Sequence, residues 1–224
     1  MKSLSIIVPA LNEADVIEAT LGRLQRVRER GAEVVVVDGG SSDGTPVLCN
    51  GLADRVIGGP RGRARQMNTG AAESRGDVLL FLHADTLLPR QGAKAAAQAV
   101  TDGAVWGYFR VAIAGGSIWF PLIGGLMNLR SRLTRVATGD QALFVERDAF
   151  ERIGGYPDQP LMEDVALCRA LRAIAPPACL RLTVRTSGRR WERYGVLRTV
   201  LLMWRLRWMY WRGVPAEEIA RAWR

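Results

Sequence analysis

The stretch Asp77-Val78-Leu79-Leu80-Phe81-Leu82-His83-Ala84-Asp85 indicates the fold of this 224-residue chain. Its five consecutive apolar residues, 78–82, are typical of a strand buried on both faces of a parallel sheet. Open α/β sheets bind ligands beyond the carboxyl ends of their strands, so Asp85 lies where a carboxylate can hold a divalent cation against a diphosphate. The stretch is equally compatible with Asp85 as the cap of the following turn or helix, so the choice depends on the rest of the chain.

Strand and helix patterns alternate before this stretch. Apolar runs predict strands over 4–8, 33–37 and 55–57, and apolar positions at helical spacing or turn signals predict helices over 14–30, near 46 and over 62–74. This order predicts an α/β fold with a mostly parallel central sheet flanked by helices. Pro9 lies where a G-x-G-x-x-G loop would begin, so the sheet is not of the dinucleotide-binding type.

The pattern becomes less regular after Asp85. It predicts helices over 91–100, 128–136, 147–153 and 163–174, and strands over 104–113, 142–145 and 180–186. Residues 115–125 are apolar and glycine-rich, and Pro121 argues against one straight helix there. This segment is interpreted either as a mobile lid or acceptor-binding loop, or as part of the core.

Charge and tryptophan are concentrated at the C-terminal end. The chain has a net charge of +9, of which residues 181–224 carry +8 through 11 Arg and three Glu, and five of the seven Trp lie in the same segment. A helix over about 194–212 would place Trp204, Trp208 and Trp211 on one face. This composition predicts peripheral contact with an anionic membrane surface or nucleic acid; a homodimer interface or a packed helix is the alternative.

Other features restrict the class of protein. The three Cys have no paired spacing, so we expect neither a zinc site nor a disulfide framework, and a reducing compartment fits them. His83 is the single histidine, which excludes a histidine metal cluster. There is no visible signal peptide and no run of 18 apolar residues. We therefore expect a cytoplasmic location, with the tail at the inner face of the cell membrane.

Short motifs follow the predicted strands in a fixed order. They are 7–13 (I-V-P-A-L-N-E), 37–45 (V-D-G-G-S-S-D-G-T), 68–71 (N-T-G-A), 83–85 (H-A-D), 154–156 (G-G-Y) and 162–167 (M-E-D-V-A-L). In number, order and spacing they resemble motifs of family 2 glycosyltransferases of the A-type fold. The chain is most similar to a compact bacterial branch that carries F-L-H-A-D-T, G-D-Q and G-R-R-W.

The resemblance implies a single nucleotide-diphospho-sugar transferase domain over 1–191, followed by a basic helical tail over 192–224. It implies metal-dependent, inverting transfer of one sugar from a nucleoside diphosphate sugar to an acceptor, with Mg²⁺ or Mn²⁺ as the cofactor. The acceptor is unknown, and the tail favours a lipid-linked or amphiphilic one. No nucleic acid is expected as a partner.

The resemblance also assigns roles to individual residues. Asp85 is the expected metal ligand. Asp164 is the expected general base, with Glu163 beside it, although a carboxylate at a helix start is also a common cap. The expected substrate-binding residues are Pro9, Ala10, Glu13, Asp38, Arg63, Arg65, His83, Ala84, Gly139, Asp140, Gln141, Arg189, Arg190 and Trp191.

The chain departs from the family pattern in three places. Gly39 replaces an Asp in the 37–45 loop, and His83 replaces the first Asp of D-x-D, so the metal site depends mainly on Asp85. His83 is a ligand, a phosphate donor or a packed ring. Ser187 replaces the Gln of the Q-x-x-R-W motif of processive synthases, which favours a single-transfer enzyme.

Two other functions fit parts of the sequence. A nucleotidyltransferase uses a related sheet and metal, but it usually begins with a glycine-rich phosphate loop and a lysine, both missing here. A non-enzymatic basic nucleic-acid-binding module would explain the tail but would leave the carboxylates at the strand ends without a role.

Overall fold

The computed structural model describes residues 2–223. Met1, the first residue of the predicted domain over 1–191, and Arg224, the last residue of the predicted tail over 192–224, lie outside this range. The strands are β1 (Leu4–Ala10), β2 (Glu33–Asp38), β3 (Arg55–Gly58), β4 (Val78–Phe81), β5 (Thr86–Leu87), β6 (Trp106–Ala114), β7 (Leu143–Glu146) and β8 (Ala178–Ser187). The α-helices are α1 (Ala14–Arg28), α2 (Thr45–Cys49), α3 (Arg63–Glu73), α4 (Gly92–Thr101), α5 (Phe120–Thr134), α6 (Arg147–Arg152), α7 (Glu163–Ile174), α8 (Arg189–Tyr194), α9 (Val196–Trp211) and α10 (Ala216–Trp223).

The strands form one sheet in the order β3-β2-β1-β4-β7-β6-β8-β5. The first four are mutually parallel, β7 runs antiparallel to both β4 and β6, and β8 runs parallel to β6. The carboxyl ends of β1, β2, β4, β6 and β8 therefore meet at one edge of the sheet. β7 starts at that same edge, because Leu143 pairs with Phe81. This topology confirms the predicted α/β fold and brings the predicted site segments to one edge.

The core lies on both faces of the sheet. The four consecutive Val of β2 alternate between two hydrophobic clusters, and all four are fully buried. On one face, α1 contributes Ile17, Leu21 and Leu24 at helical spacing. On the other face, α3 and α7 cover β1, β4 and β7. Burial on both faces explains why these strands read as continuous apolar runs.

Two of the short motifs are needed for packing. A Cβ added at Gly70 would lie 2.4 Å from Ile7 Cγ2, so glycine lets α3 approach β1 closely. The Asn68 side chain donates to the Tyr156 carbonyl at 2.8 Å and accepts from the Tyr156 N–H at 2.9 Å. These contacts join the 68–71 and 154–156 motifs, which are distant in the sequence.

The structure corrects one predicted helix and confirms another. Helix α5 starts at Phe120 and includes part of the apolar segment 115–125, because Pro121 lies in its first turn, where proline is tolerated. The helix predicted over about 194–212 is α9; it begins after Gly195, whose φ of 83° is unfavourable for other residues, and the short helices α8 and α10 on either side of it were not predicted. The predicted boundary between 191 and 192 falls inside α8, and a separate tail segment stays a prediction.

Candidate active site

A cavity of about 830 Å³ opens at the edge where the parallel strands end. One part is polar and lies beyond β1, β4 and β8, and the other part lies between α5 and α9. The cavity brings together most of the predicted site residues: Pro9, Glu13, Arg63, His83, Ala84, Asp85, Gly139, Asp140, Glu163, Asp164, Arg189, Arg190 and Trp191. Because they come from segments up to 182 positions apart, the sheet topology rather than local sequence assembles the site.

Asp85 lies in the loop between β4 and β5. Its backbone carbonyl accepts a hydrogen bond from the Ser187 N–H at 3.1 Å, which fixes the loop to the end of β8. Its Oδ2 lies 3.7 Å from Arg189 Nη2, and the same Nη2 donates to Glu13 Oε2 at 2.7 Å. The Arg189 guanidinium thus lies between two carboxylates that are both more than 100 positions away in the sequence. The hydrogen bond to Glu13 raises the pKa of Arg189, and the charges of Glu13 and Asp85 raise it further. Partial burial acts in the opposite direction but is outweighed.

Asp164 is the second residue of α7 and points towards the loop before β7. Its Oδ2 accepts from the Gly139 N–H at 2.8 Å, and its Oδ1 accepts from the Val165 N–H at 2.7 Å. Burial and the neighbouring Glu163 charge raise the pKa of Asp164 to about 6, although the two hydrogen bonds and Arg63 act in the opposite direction. A carboxylate with this pKa is ionised at neutral pH and is well suited to accept a proton.

A network of charges surrounds Asp164. Buried Glu163 places Oε1 3.6 Å from Arg63 Nη1. Burial opposes ionisation of Asp140, but hydrogen bonding to His83 and the charges of His83 and Arg63 outweigh it and lower the pKa of Asp140. The Arg63 guanidinium is therefore held at the N-terminus of α3 by several carboxylates, where a substrate anion would also meet it.

His83 packs against the loop of Gly139 and Asp140. Its Nδ1 lies 3.2 Å from Asp140 Oδ1, while its buried Nε2 has no hydrogen-bond partner among the described residues. A Cβ added at Gly139 would lie 2.3 Å from His83 Nε2. Of the three interpretations of His83, this geometry favours a packed ring that orients Asp140, because the free nitrogen faces the backbone of Gly139.

Four of the predicted substrate-binding residues have other contacts. Asp38 accepts hydrogen bonds from the backbone N–H groups of Gly40 and Ser41 at 2.9 and 3.0 Å, as an Asx turn would, and Ala10 accepts through its carbonyl from Gln66. Arg65 pairs with Asp158 on the surface.

Gln141 is the fourth and is fully buried. Its Oε1 accepts from Ser131 at 2.6 Å, and its Nε2 donates to the Phe109 carbonyl at 3.2 Å. Instead of facing the cavity, the Gln141 side chain holds α5 against β6. Burial and a complete set of protein partners are the physical reason for this correction.

The 189–191 segment has two further contacts. Trp191 is largely buried in a cluster with Ile113, Phe120 and Ile123, so it fixes α8 to α5 and β6. The Arg190 guanidinium lies over the Trp223 ring, 3.3 Å from its centroid, and donates to the Trp223 carbonyl. The C-terminal helix α10 therefore reaches the cavity, a contact that sequence reasoning did not predict.

Sequence reasoning also missed the lining supplied by α5. Leu126, Leu129, Arg130 and Leu133 all line the cavity, and Arg130 Nη1 is buried without a hydrogen-bond partner among the described residues. The spacing of the three leucines, at i, i+3 and i+7, was the available signal for one helix face. This signal was not used because the helix was expected to begin at residue 128, whereas α5 begins at Phe120.

The residues around Asp85 fit a hard divalent cation. No group of three or more His, Cys, Asp or Glu side chains converges on one point within residues 2–223. Asp85 and Glu13 each present a partly exposed carboxylate to the cavity on either side of Arg189. One carboxylate is enough when the remaining oxygen ligands come from substrate phosphates and water, as is common for Mg²⁺.

Solved structures show that this fold is the A-type glycosyltransferase fold. A mannosyltransferase from Pyrobaculum calidifontis in complex with GDP-Man and Mn²⁺ matches with a TM-score of 0.62 and 24% identity over 82% of this chain and 56% of that one. TarS residues 1–349 of S. aureus, in complex with UDP-GlcNAc, matches with a TM-score of 0.67 and 18% identity over 83% and 58%.

The sequence match identifies the family. Residues 5–154 match the family described as glycosyl transferase family 2, so the chain belongs to that family. It is 28% identical over 197 residues to the probable glycosyltransferase YdaM of Bacillus subtilis, covering 75% of this chain and 46% of that protein. It is 40% identical over 91 residues to a PGL/p-HBAD biosynthesis glycosyltransferase of Mycobacterium bovis, covering 38% and 36%. The chain thus spans less than half the length of these relatives.

Proposed function

We propose that this protein transfers one sugar from a nucleoside diphosphate sugar to an acceptor, with inversion at the anomeric carbon. The observation that carries the proposal is that Asp85 and Asp164 face one cavity at the carboxyl edge of the sheet. Asp85 would hold a diphosphate-bound cation at this edge, and the raised pKa of Asp164 supports its role as a general base. The P. calidifontis mannosyltransferase and a glucosyl-3-phosphoglycerate synthase of Mycobacterium tuberculosis are described with Mn²⁺ and nucleotides, which supports the same donor class.

In the proposed reaction, Asp164 accepts the proton of the acceptor hydroxyl. The acceptor oxygen forms a bond to the anomeric carbon while the bond to the diphosphate breaks, and the diphosphate leaves with the electron pair. The N–H groups of Gly139 and Val165 hold the carboxylate in place for this step. Attack from the side opposite the leaving group gives inversion.

Positive charge must balance the leaving diphosphate. Mg²⁺ or Mn²⁺ held by Asp85 would supply this as a Lewis acid. Arg189 and Arg63 are the side chains that line the same part of the cavity and can meet phosphate oxygens. Arg189 donates to Glu13 and lies near Asp85, so its guanidinium is held beside the carboxylate where the charge of a diphosphate would be balanced.

The tail has the properties of a membrane-contacting segment, which favours an amphiphilic acceptor. Within residues 2–223, no helix combines the length and apolar character needed to cross a bilayer. Yet α9 exposes Trp204, Trp208 and Trp211 on one face, with Arg205 and Arg212 exposed beside them. Arg next to Trp suits the headgroup region of an anionic membrane. Because Trp204 also lines the cavity, the site opens next to this face.

Nucleotide binding provides the direct test. In a thermal-shift screen, one nucleoside diphosphate or its sugar should stabilise the wild-type protein, and Mn²⁺ should increase the shift. Asp85→Asn should keep the fold but lose the Mn²⁺-dependent part. Asp102→Asn, on the distant end of α4, is the matched control. Equal Mn²⁺-dependent shifts in all three proteins would contradict the role of Asp85.

A further inference from the structure

The part of the cavity between α5 and α9 is mostly apolar and joins the polar site directly; Arg130, Thr134 and Arg207 on the same two helices also line the cavity. Leu126, Leu129 and Leu133 of α5 line it on one side, and Met203 and Trp204 of α9 line it on the other. We call this the α5–α9 groove. Phe120 and Ile123 of α5 pack with Trp191 in one hydrophobic cluster, and Val200 of α9 packs against the same cluster. These contacts fix α5 and α9 relative to each other.

The groove exposes its apolar side chains to solvent. Leu129 is 53% exposed, Leu133 74% and Trp204 68%. Contiguous exposed apolar surface of this kind usually marks a binding site. A hydrophilic acceptor would need several hydrogen-bonding side chains along its approach, and among these five residues only Trp204 has one such group, its indole N–H.

The geometry points to a subsite for the hydrocarbon chain of the acceptor in the α5–α9 groove. The inference rests on the proposed function, because the groove matters through its continuity with Asp164. A chain lying along the leucines would direct its polar end to the carboxylates, where a hydroxyl group reaches the base. Leu126 to Leu133 span about 10 Å of helix, which sets the length of chain that the groove can hold.

Alkyl β-glucosides of increasing chain length, each below its micelle-forming concentration, are suitable probes. Calorimetry on the whole chain should show the Kd falling about fourfold per added methylene, equivalent to ~0.8 kcal/mol, until the chain spans the groove and the gain levels off. Leu129→Gln should weaken binding of the longest probe about tenfold. Leu122→Gln is the matched control, since Leu122 lies on the same helix and is 55% exposed but outside the cavity.

Two outcomes would overturn the subsite. One is a Kd that does not depend on chain length, and the other is equal weakening by the two leucine substitutions, which would make this face a bilayer contact instead. Titration of the same preparations with UDP or GDP plus Mn²⁺ separates this inference from the proposed function. Nucleotide binding without a chain-length effect refutes the subsite alone, whereas absence of nucleotide binding refutes the donor site.

Discussion

Replacing Asp164 by Asn is expected to remove both the proposed base and the pH dependence of stability that this partly buried carboxylate causes. In the folded protein, burial and the charge of Glu163 raise the pKa of Asp164 from 3.8 to about 6. The folded state therefore binds this proton more tightly than the unfolded chain does. The stabilisation that results is complete below about pH 4 and is lost as the pH rises through about 6.

The size of the effect follows from the shift. At pH 8 the carboxylate is ionised in both states, and a shift of about two units, at 1.36 kcal/mol each, corresponds to an upper limit of ~3 kcal/mol. Asp164 is partly exposed, and solvent screening reduces the expected gain to about 1–2 kcal/mol. A neutral Asn removes this penalty, but its single side-chain oxygen can accept from only one of the two N–H groups of Gly139 and Val165, and this loss costs about 1 kcal/mol at every pH. The test is therefore the change with pH: from pH 5 to pH 8, the melting temperature of the variant relative to wild type should rise by about 1–4 °C.

Calorimetric melting of wild type and Asp164→Asn at pH 8 and pH 5 measures this gain. The difference should be largest at pH 8 and should shrink at pH 5, where wild-type Asp164 is mostly protonated. Asp158→Asn is the control, because pairing with Arg65 lowers the pKa of Asp158 and its loss should not stabilise the fold. A difference in melting temperature between Asp164→Asn and wild type that is the same at pH 5 and at pH 8 would refute the raised pKa of this carboxylate.

Three further predictions follow from the site and the tail. Sugar transfer should increase as the pH rises through about 6, because Asp164 must be ionised to accept a proton, and a pH–rate profile that is flat from 5 to 8 would contradict this. Gly139→Ala should displace the His83 ring and lower kcat at least tenfold with nucleotide affinity preserved, measured by steady-state kinetics and calorimetry. Replacing Arg205 and Arg212 by Gln should release the protein from acidic liposomes at low salt in a sedimentation assay, since each Arg near such a surface contributes about 1 kcal/mol; wild-type protein that stays in the supernatant would exclude the membrane contact.

Local pattern was sufficient for most of the fold. The helix over 163–174 and the short strand at 55 were predicted because their apolar spacing is strong, and the alternation of elements implies the parallel half of the sheet. The common edge that collects Asp85 and Asp164 follows from that topology. This is why most of the predicted site residues lie around one cavity.

The remaining features depend on contacts between distant residues. The sequence does not reveal that buried Gln141 accepts a hydrogen bond from Ser131. Nor does it reveal that Arg189 donates a hydrogen bond to Glu13, which lies 176 positions away in the sequence. The first half of helix α5, before residue 128, was missed because Pro121 suggested a break, whereas proline is tolerated in the first turn of a helix. The apolar lining of the cavity became visible only with that helix in place.

The most direct test of the central claim is donor turnover. Wild-type protein, Asp85→Asn and Asp164→Asn are each incubated with a panel of nucleoside diphosphate sugars, Mn²⁺ and decyl β-glucoside, and released nucleoside diphosphate is quantified. The account predicts release from one donor by wild type, loss of about 10²–10⁴-fold in Asp164→Asn with donor binding retained, and loss of both Mn²⁺-dependent binding and release in Asp85→Asn. Wild-type rates in either variant would contradict the assigned roles, and no release from any donor together with no nucleotide binding would contradict the proposed function.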